Sequence, residues 1–111
     1  MTPKQLWIKA LRSGKYKQTT LKLLREDGSC CALGVACLVY EEHVKPLTKK
    51  LVADFYTFSP YDNILPSEVQ EWLGCDGGCN LNGQPPVYSL NDDGKTFEEI
   101  ADILENSEFR K

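Results

Sequence analysis

The chain has 111 residues, 41% hydrophobic and 26% charged, with a formal net charge of −3. That length predicts one domain over 1–111 with a core of its own. No stretch nears the ~18 consecutive apolar residues of a membrane span, and the N-terminus lacks the apolar run of a secretory signal, so the expectation is a protein of a reducing cytoplasm with no membrane partner.

Thr2-Pro3-Lys4-Gln5 opens the first element. Threonine at the N-cap, proline at the first helical position and glutamine at the third make a capping box. Leu6, Trp7, Ala10 and Leu11 follow at helical spacing and Gly14 closes the element, predicting a helix over 3–13. Residues 16–25 alternate loosely with a period of two, and Asp27-Gly28 is a strong hairpin signal. The expectation is a small β-hairpin over 16–31. From Cys31 to Tyr40 there is no polar face until Glu41. A helix apolar all round is a buried one, so 31–42 is predicted as the central helix. Gly34 inside it costs about 1 kcal/mol in helix propensity. That glycine predicts close approach of another element.

Residues 44–64 fit helix and strand equally, and carry the aromatic group Phe55, Tyr56, Phe58 and Tyr61. Ser67 and Gln70 stand at capping-box spacing before a helix ending at Gly74. Residues 75–86 form turns, Val87–Leu90 suits a short strand, and Asn91-Asp92-Asp93-Gly94 turns the chain again. Thr96 and Glu99 make a third capping box for an amphipathic helix over 97–106. The fold class expected is α+β, with about four helices around the central one and a small hairpin.

Three chemistries compete for this sequence. The first uses its cysteines: Cys30, Cys31, Cys37, Cys75 and Cys79, an odd number that disfavours a disulfide framework. Cys30 or Cys31 at a helix start would gain thiolate character. The single histidine, His43, would then lie about 12 residues along the same helix, ~18 Å away, too far to act as its base. Cys75 and Cys79 make a tolerable zinc knuckle or a disulfide under oxidation. The adjacent Cys30 and Cys31 diverge and make a poor second knuckle. Small core residues are the simpler reading of the helical cysteines.

The second is nucleic-acid binding. Residues 1–25 hold seven Lys or Arg and no acid, while all sixteen acids follow. Arg12, Lys15, Lys17, Lys22 and Arg25 around Tyr16 form a basic patch over 12–25. The plainer reading packs this basic face beside the acidic last helix. The third is protein binding. Candidate contact residues are Arg12, Lys15, Tyr16 and Lys17, where the first helix meets the hairpin, together with Asn91 and Asp92. The aromatic group at 55–61 is a second candidate. Each has a structural alternative: Tyr16 as core, and 91–94 as a turn only.

Four segments in order, ALRSGKYKQ (10–18), LREDGSCCALGVAC (24–37), LPSEVQEWLG (65–74) and LNDDGKTFEEIADIL (90–104), cover about half the chain. The pattern resembles a family of small uncharacterised bacteriophage and prophage proteins. Ala32 departs from the family's Cys-Cys-Leu-Gly-Val run. The resemblance implies a phage accessory protein in the host bacterial cytoplasm. The expected function is therefore to bind, and to inhibit or modulate, a host or phage protein. No catalytic residue, cofactor or metal is expected. The alternatives are nucleic-acid binding through 12–25 and a thiol or zinc site.

Overall fold

The computed structural model describes residues 1–58 and 62–110. Among these, five helices and a three-stranded antiparallel sheet make an α+β fold. In chain order they are α1 (Pro3–Arg12), β1 (Leu24–Arg25), α2 (Ala32–His43), β2 (Lys50–Val52), β3 (Phe55–Thr57), α3 (Ser67–Leu73), α4 (Val87–Asp92) and α5 (Phe97–Glu105). No helix of the described residues is long and apolar enough to cross a membrane.

α1 and α5 form as their sequences require. Thr2 Oγ1 accepts from the Gln5 amide at 3.2 Å, and Gln5 Oε1 accepts from the Thr2 amide at 2.8 Å. Thr96 and Glu99 repeat the arrangement at 3.1 and 3.0 Å. Each box satisfies donors that a helix start leaves open. Leu11 of α1 and Ile100, Ala101 and Leu104 of α5 are buried where these helices pack together.

α2 is the core. Ala32–Cys37 are all buried, as are Val39 and Tyr40, because the helix is covered by α1, α3 and α4. Trp7 is fully buried against it and its indole N–H donates to the Ala32 carbonyl at 2.9 Å, so the ring's one polar atom is satisfied. Tyr40 meets Trp72 of α3 edge to face, with centroids 5.5 Å apart. The close approach expected at Gly34 is with the backbone of the preceding segment. A Cβ there would stand 1.7 Å from the Leu23 carbonyl oxygen.

Three expectations need correction, and one open region takes a definite form. The hairpin over 16–31 contracts to a tight turn. Gly28, at φ 89°, donates to the Arg25 carbonyl at 3.0 Å, and Asp27 Oδ1 accepts from the Ser29 amide and hydroxyl. The strand after residue 16 shortens to an isolated bridge, in which the Cys30 amide donates to the Lys17 carbonyl and the Thr19 amide to the Cys30 carbonyl, both at 2.9 Å, because Leu21 turns to φ 69°; only Leu24–Arg25 remains a strand. Its partner is β3, in the register Leu24↔Tyr56 and Arg25↔Phe55.

Second, the ambiguous 44–64 region contains the β2–β3 hairpin, with Val52 opposite Phe55 and Ala53 at φ 57° in the turn. Sheet order β1-β3-β2 leaves β2 as an edge with Leu51 and Val52 exposed. Third, the Ser67 and Gln70 capping box is absent. Pro66 takes the N-cap position, and Gln70 Nε2 donates instead to the Leu65 carbonyl at 2.7 Å. Fourth, Val87–Leu90 is helix. Pro86 at the N-cap starts α4, which buries Val87, Leu90 and Asn91 at helical spacing and carries Asn91 and Asp92 within it instead of in a turn.

Candidate functional site

Among the described residues, Leu21 combines a left-handed backbone, φ 69°, with the exposure of a large apolar side chain, 61% accessible. An L-residue pays about 1–2 kcal/mol for that conformation. Such strain persists only where the surroundings overdetermine it. Here they do, through residues from three separate parts of the chain.

Asn91 is the centre of the clamp. It is 1% exposed, and its side chain makes three hydrogen bonds. Oδ1 accepts from the Ala32 amide at 3.0 Å and from Gln18 Nε2 at 2.9 Å, and Nδ2 donates to the Thr19 carbonyl at 2.8 Å. Ala32 is the first residue of α2, whose N-cap Cys31 offers no side-chain cap, so Asn91 serves as a cap supplied by another helix. Gln18 also donates to the Lys95 carbonyl at 2.7 Å and accepts from the Phe97 amide at 3.1 Å.

Next along, Asp92 Oδ1 accepts from the Leu21 amide at 3.0 Å and fixes the strained residue. From the other side Arg25 donates to Thr19 Oγ1 at 2.9 Å and to the Thr20 carbonyl at 3.1 Å. The Lys22 ammonium sits 3.8 Å above the Phe55 ring and 3.1 Å from Asp62. Residues 18–22 are thus held rigid while Leu21 points a bare isobutyl group into solvent. Tyr88, one turn before Asp92 on α4, is also exposed.

The six contact residues expected from sequence do not make one surface. Asn91 is corrected from a contact to a buried structural residue, since all its polar atoms are engaged inside. Asp92 remains exposed, holding Leu21. Lys15 and Tyr16 line a separate groove of about 280 Å³ beside the end of α2 and His43, with the Lys15 ammonium 5.4 Å from the Tyr16 ring. Tyr16 is half-buried against the core. Arg12 lies on a groove of about 640 Å³ along α1 and is bound to Asp102 and Glu105, both at 2.6 Å. Those hydrogen bonds hold the guanidinium's pKa above its ordinary value. Of the second candidate group, Phe58 is core, Phe55 and Tyr56 are half-buried on β3, and Tyr61 lies outside the described residues.

The basic patch over 12–25 is largely neutralised by the fold. Arg12 pairs with α5, Lys22 with Asp62, and Arg25 and Lys17 approach Asp54 and Asp27 at 3.8 Å. Lys15 alone of the five has no carboxylate partner among the described residues. This is the plainer packing of basic α1 on acidic α5.

Cys30 and Cys31, at the entrance to the central helix, and Cys37 within it behave as packing residues. Burial pushes the Cys30 thiol up to about 12. Cys31 rises to about 11, because burial outweighs the Gly34 and Leu33 amides that favour its thiolate. Burial likewise carries Cys37 well above the usual thiol range. A nucleophilic thiol needs the opposite shift. No cluster of three His, Cys, Asp or Glu side chains suited to a metal occurs among the described residues.

Residues 2–108 match the family described as a domain of unknown function (DUF8296), and the chain belongs to that family. No match was found among curated proteins or solved structures. Sequence reasoning missed Leu21, because nothing in TTLKLL marks a leucine for left-handed backbone. The signal available was Asn91-Asp92, flagged for the wrong reason: its side chains act inward, on residues 18–21 and 32.

Proposed function

We propose that this protein is a non-catalytic binding module whose loop 18–22 inserts Leu21 into an apolar pocket of another protein. The carrying observation is the clamped, strained and exposed Leu21. A rigid apolar anchor loses little conformational freedom on docking, which is how preorganised loops gain affinity. The four-segment resemblance to phage proteins supports a host or phage protein as the partner, in a bacterial cytoplasm. Inhibition or modulation of that partner is the simplest outcome of such docking. Nucleic-acid binding is the less favoured reading, because four of the five cations in 12–25 already face carboxylates.

The test is capture of the tagged protein from bacterial lysate, with nuclease, beside a Leu21→Gly variant. Glycine removes the anchor and relaxes the backbone, so folding is kept or improved. The expected result is one dominant protein recovered by wild type and lost with Leu21→Gly. Equal recovery by both chains refutes the assignment to Leu21. Recovery that collapses with nuclease favours nucleic acid.

A further inference from the structure

The loop after α3 carries two free cysteines, one in the core and one at its edge, that the binding reading does not use. Gly74, at φ 83°, ends α3, and the chain then runs Cys75-Asp76-Gly77-Gly78-Cys79. It turns back sharply: the Cys79 amide donates to the Asp76 carbonyl at 3.1 Å, and Cys79 itself is at φ 57°. Asp76 Oδ1 accepts from the Asn80 amide at 2.9 Å and fastens the turn. The loop is braced on both sides. The Gly77 carbonyl accepts from the Leu65 amide at 2.8 Å, and the Cys79 carbonyl accepts from the Val87 amide at 3.0 Å. The glycines are needed for this bracing, since a Cβ on Gly78 would stand 2.8 Å from Tyr88 Cδ1 and one on Gly77 3.1 Å from Ile64 Cδ1.

The result is a fixed turn with Cys75 at its entrance and Cys79 at its exit. Both cysteines are free, Cys79 fully buried and Cys75 partly open to solvent. The Cys75 side chain and burial keep the proton on Cys79. Cys75 is therefore the sulfur that a reagent meets first, and Cys79 the resolving sulfur behind it.

We propose that Cys75 and Cys79 form a reversible dithiol site that low-molecular-weight disulfides convert to an intramolecular disulfide. In the first exchange Cys75, as thiolate, attacks one sulfur of the reagent, whose S–S bond breaks and releases a small thiolate. In the second, Cys79 loses its proton and attacks the Cys75 sulfur, releasing the second small thiol. Two electrons pass to the reagent, and the two cysteine protons end on the two small thiols. The two cysteines flank one hydrogen-bonded turn, so the ring that the disulfide closes is short.

The test uses the full chain with oxidised glutathione, read by intact mass and by peptide mapping without reduction. The expected product is lighter by about 2 Da, carries a Cys75–Cys79 link, and returns to the starting mass with excess reduced glutathione. Cys37, wholly buried, stays free and reports that the protein has not unfolded. Cys75→Ser, at the partly open position, blocks the reaction. Cys79→Ala traps the glutathione adduct on Cys75. Should the alanine variant fail to fold, the wild-type map and Cys75→Ser decide alone. A stable glutathione adduct on wild-type Cys75, a link to any other cysteine, or an unchanged mass overturns the proposal.

Discussion

Replacing Asn91 with alanine strands two groups inside the fold. The Ala32 amide and the Thr19 carbonyl lose their partner, while Gln18 Nε2 keeps the Lys95 carbonyl. A buried polar group left without a partner costs about 1–3 kcal/mol. Ala32 is fully buried and takes the upper part of that range. Thr19 is half-buried and reached by water, so it takes the lower part. The expected loss is ~3 kcal/mol, within the ~5–15 kcal/mol of a domain this size, so the variant still folds. Urea unfolding followed by circular dichroism reads it as a lower midpoint at unchanged slope. The melting temperature should fall by about 13 °C. In the same variant the amide protons of residues 19–21 should exchange faster, since their clamp is gone. A loss below ~1 kcal/mol would refute the role of Asn91 as the cap of α2 and the anchor of the loop.

Gly34→Ala should be far worse than a helix-favouring substitution suggests. The new methyl meets the Leu23 carbonyl at 1.7 Å, so a cost above ~3 kcal/mol, or insoluble expression, is expected in a thermal melt. Ala53→Gly should stabilise by about 0.5–1 kcal/mol, because φ 57° in the β2–β3 turn suits glycine; a lower urea midpoint would contradict this. Acid should destabilise through Asp27 and Glu99. The Ser29 hydroxyl and amide hold Asp27 below its ordinary 3.8, and the Thr96 amide and hydroxyl hold Glu99 below 4.5. Carboxylates depressed in the fold contribute stability above their unfolded values and lose it as pH falls through the folded ones. Unfolding midpoints measured from pH 6 downward should therefore decline from about pH 4.5, and a flat profile to pH 3 would contradict it.

Local signals were readable where the interactions are local. Both formed capping boxes join residues three apart, and the all-apolar run at 31–40 could only be an interior helix. Gly34 was legible as a contact, though its partner, the Leu23 carbonyl, was not. The failures share a cause: long-range partners decided them. Residues 16–23 alternate like a strand, yet Asn91, more than seventy positions on, takes the Thr19 carbonyl. Val87-Tyr88-Ser89-Leu90 looks extended by residue type. Its burial at 87, 90 and 91 is helical, and the asparagine among them hid the period because it faces inward. Ser67 lost the N-cap to Pro66 by one position. At the site, Asp92 is exposed as expected, Asn91 is buried where a surface residue was expected, and Leu21 carried no signal.

The cap on α2 has a consequence for how the chain folds. α1 and α5 close their own N-termini within four residues and can form as soon as those residues exist. α2 waits for a residue 59 positions ahead. Closing a loop of that length costs about 3–4 kcal/mol of chain entropy before any contact returns it. On a ribosome adding about 5–20 residues per second, it also means a delay of about 3–12 s. The most apolar helix of the molecule therefore lacks its N-terminal cap until Asn91 is made, while Trp7, made long before, is already available to the Ala32 carbonyl.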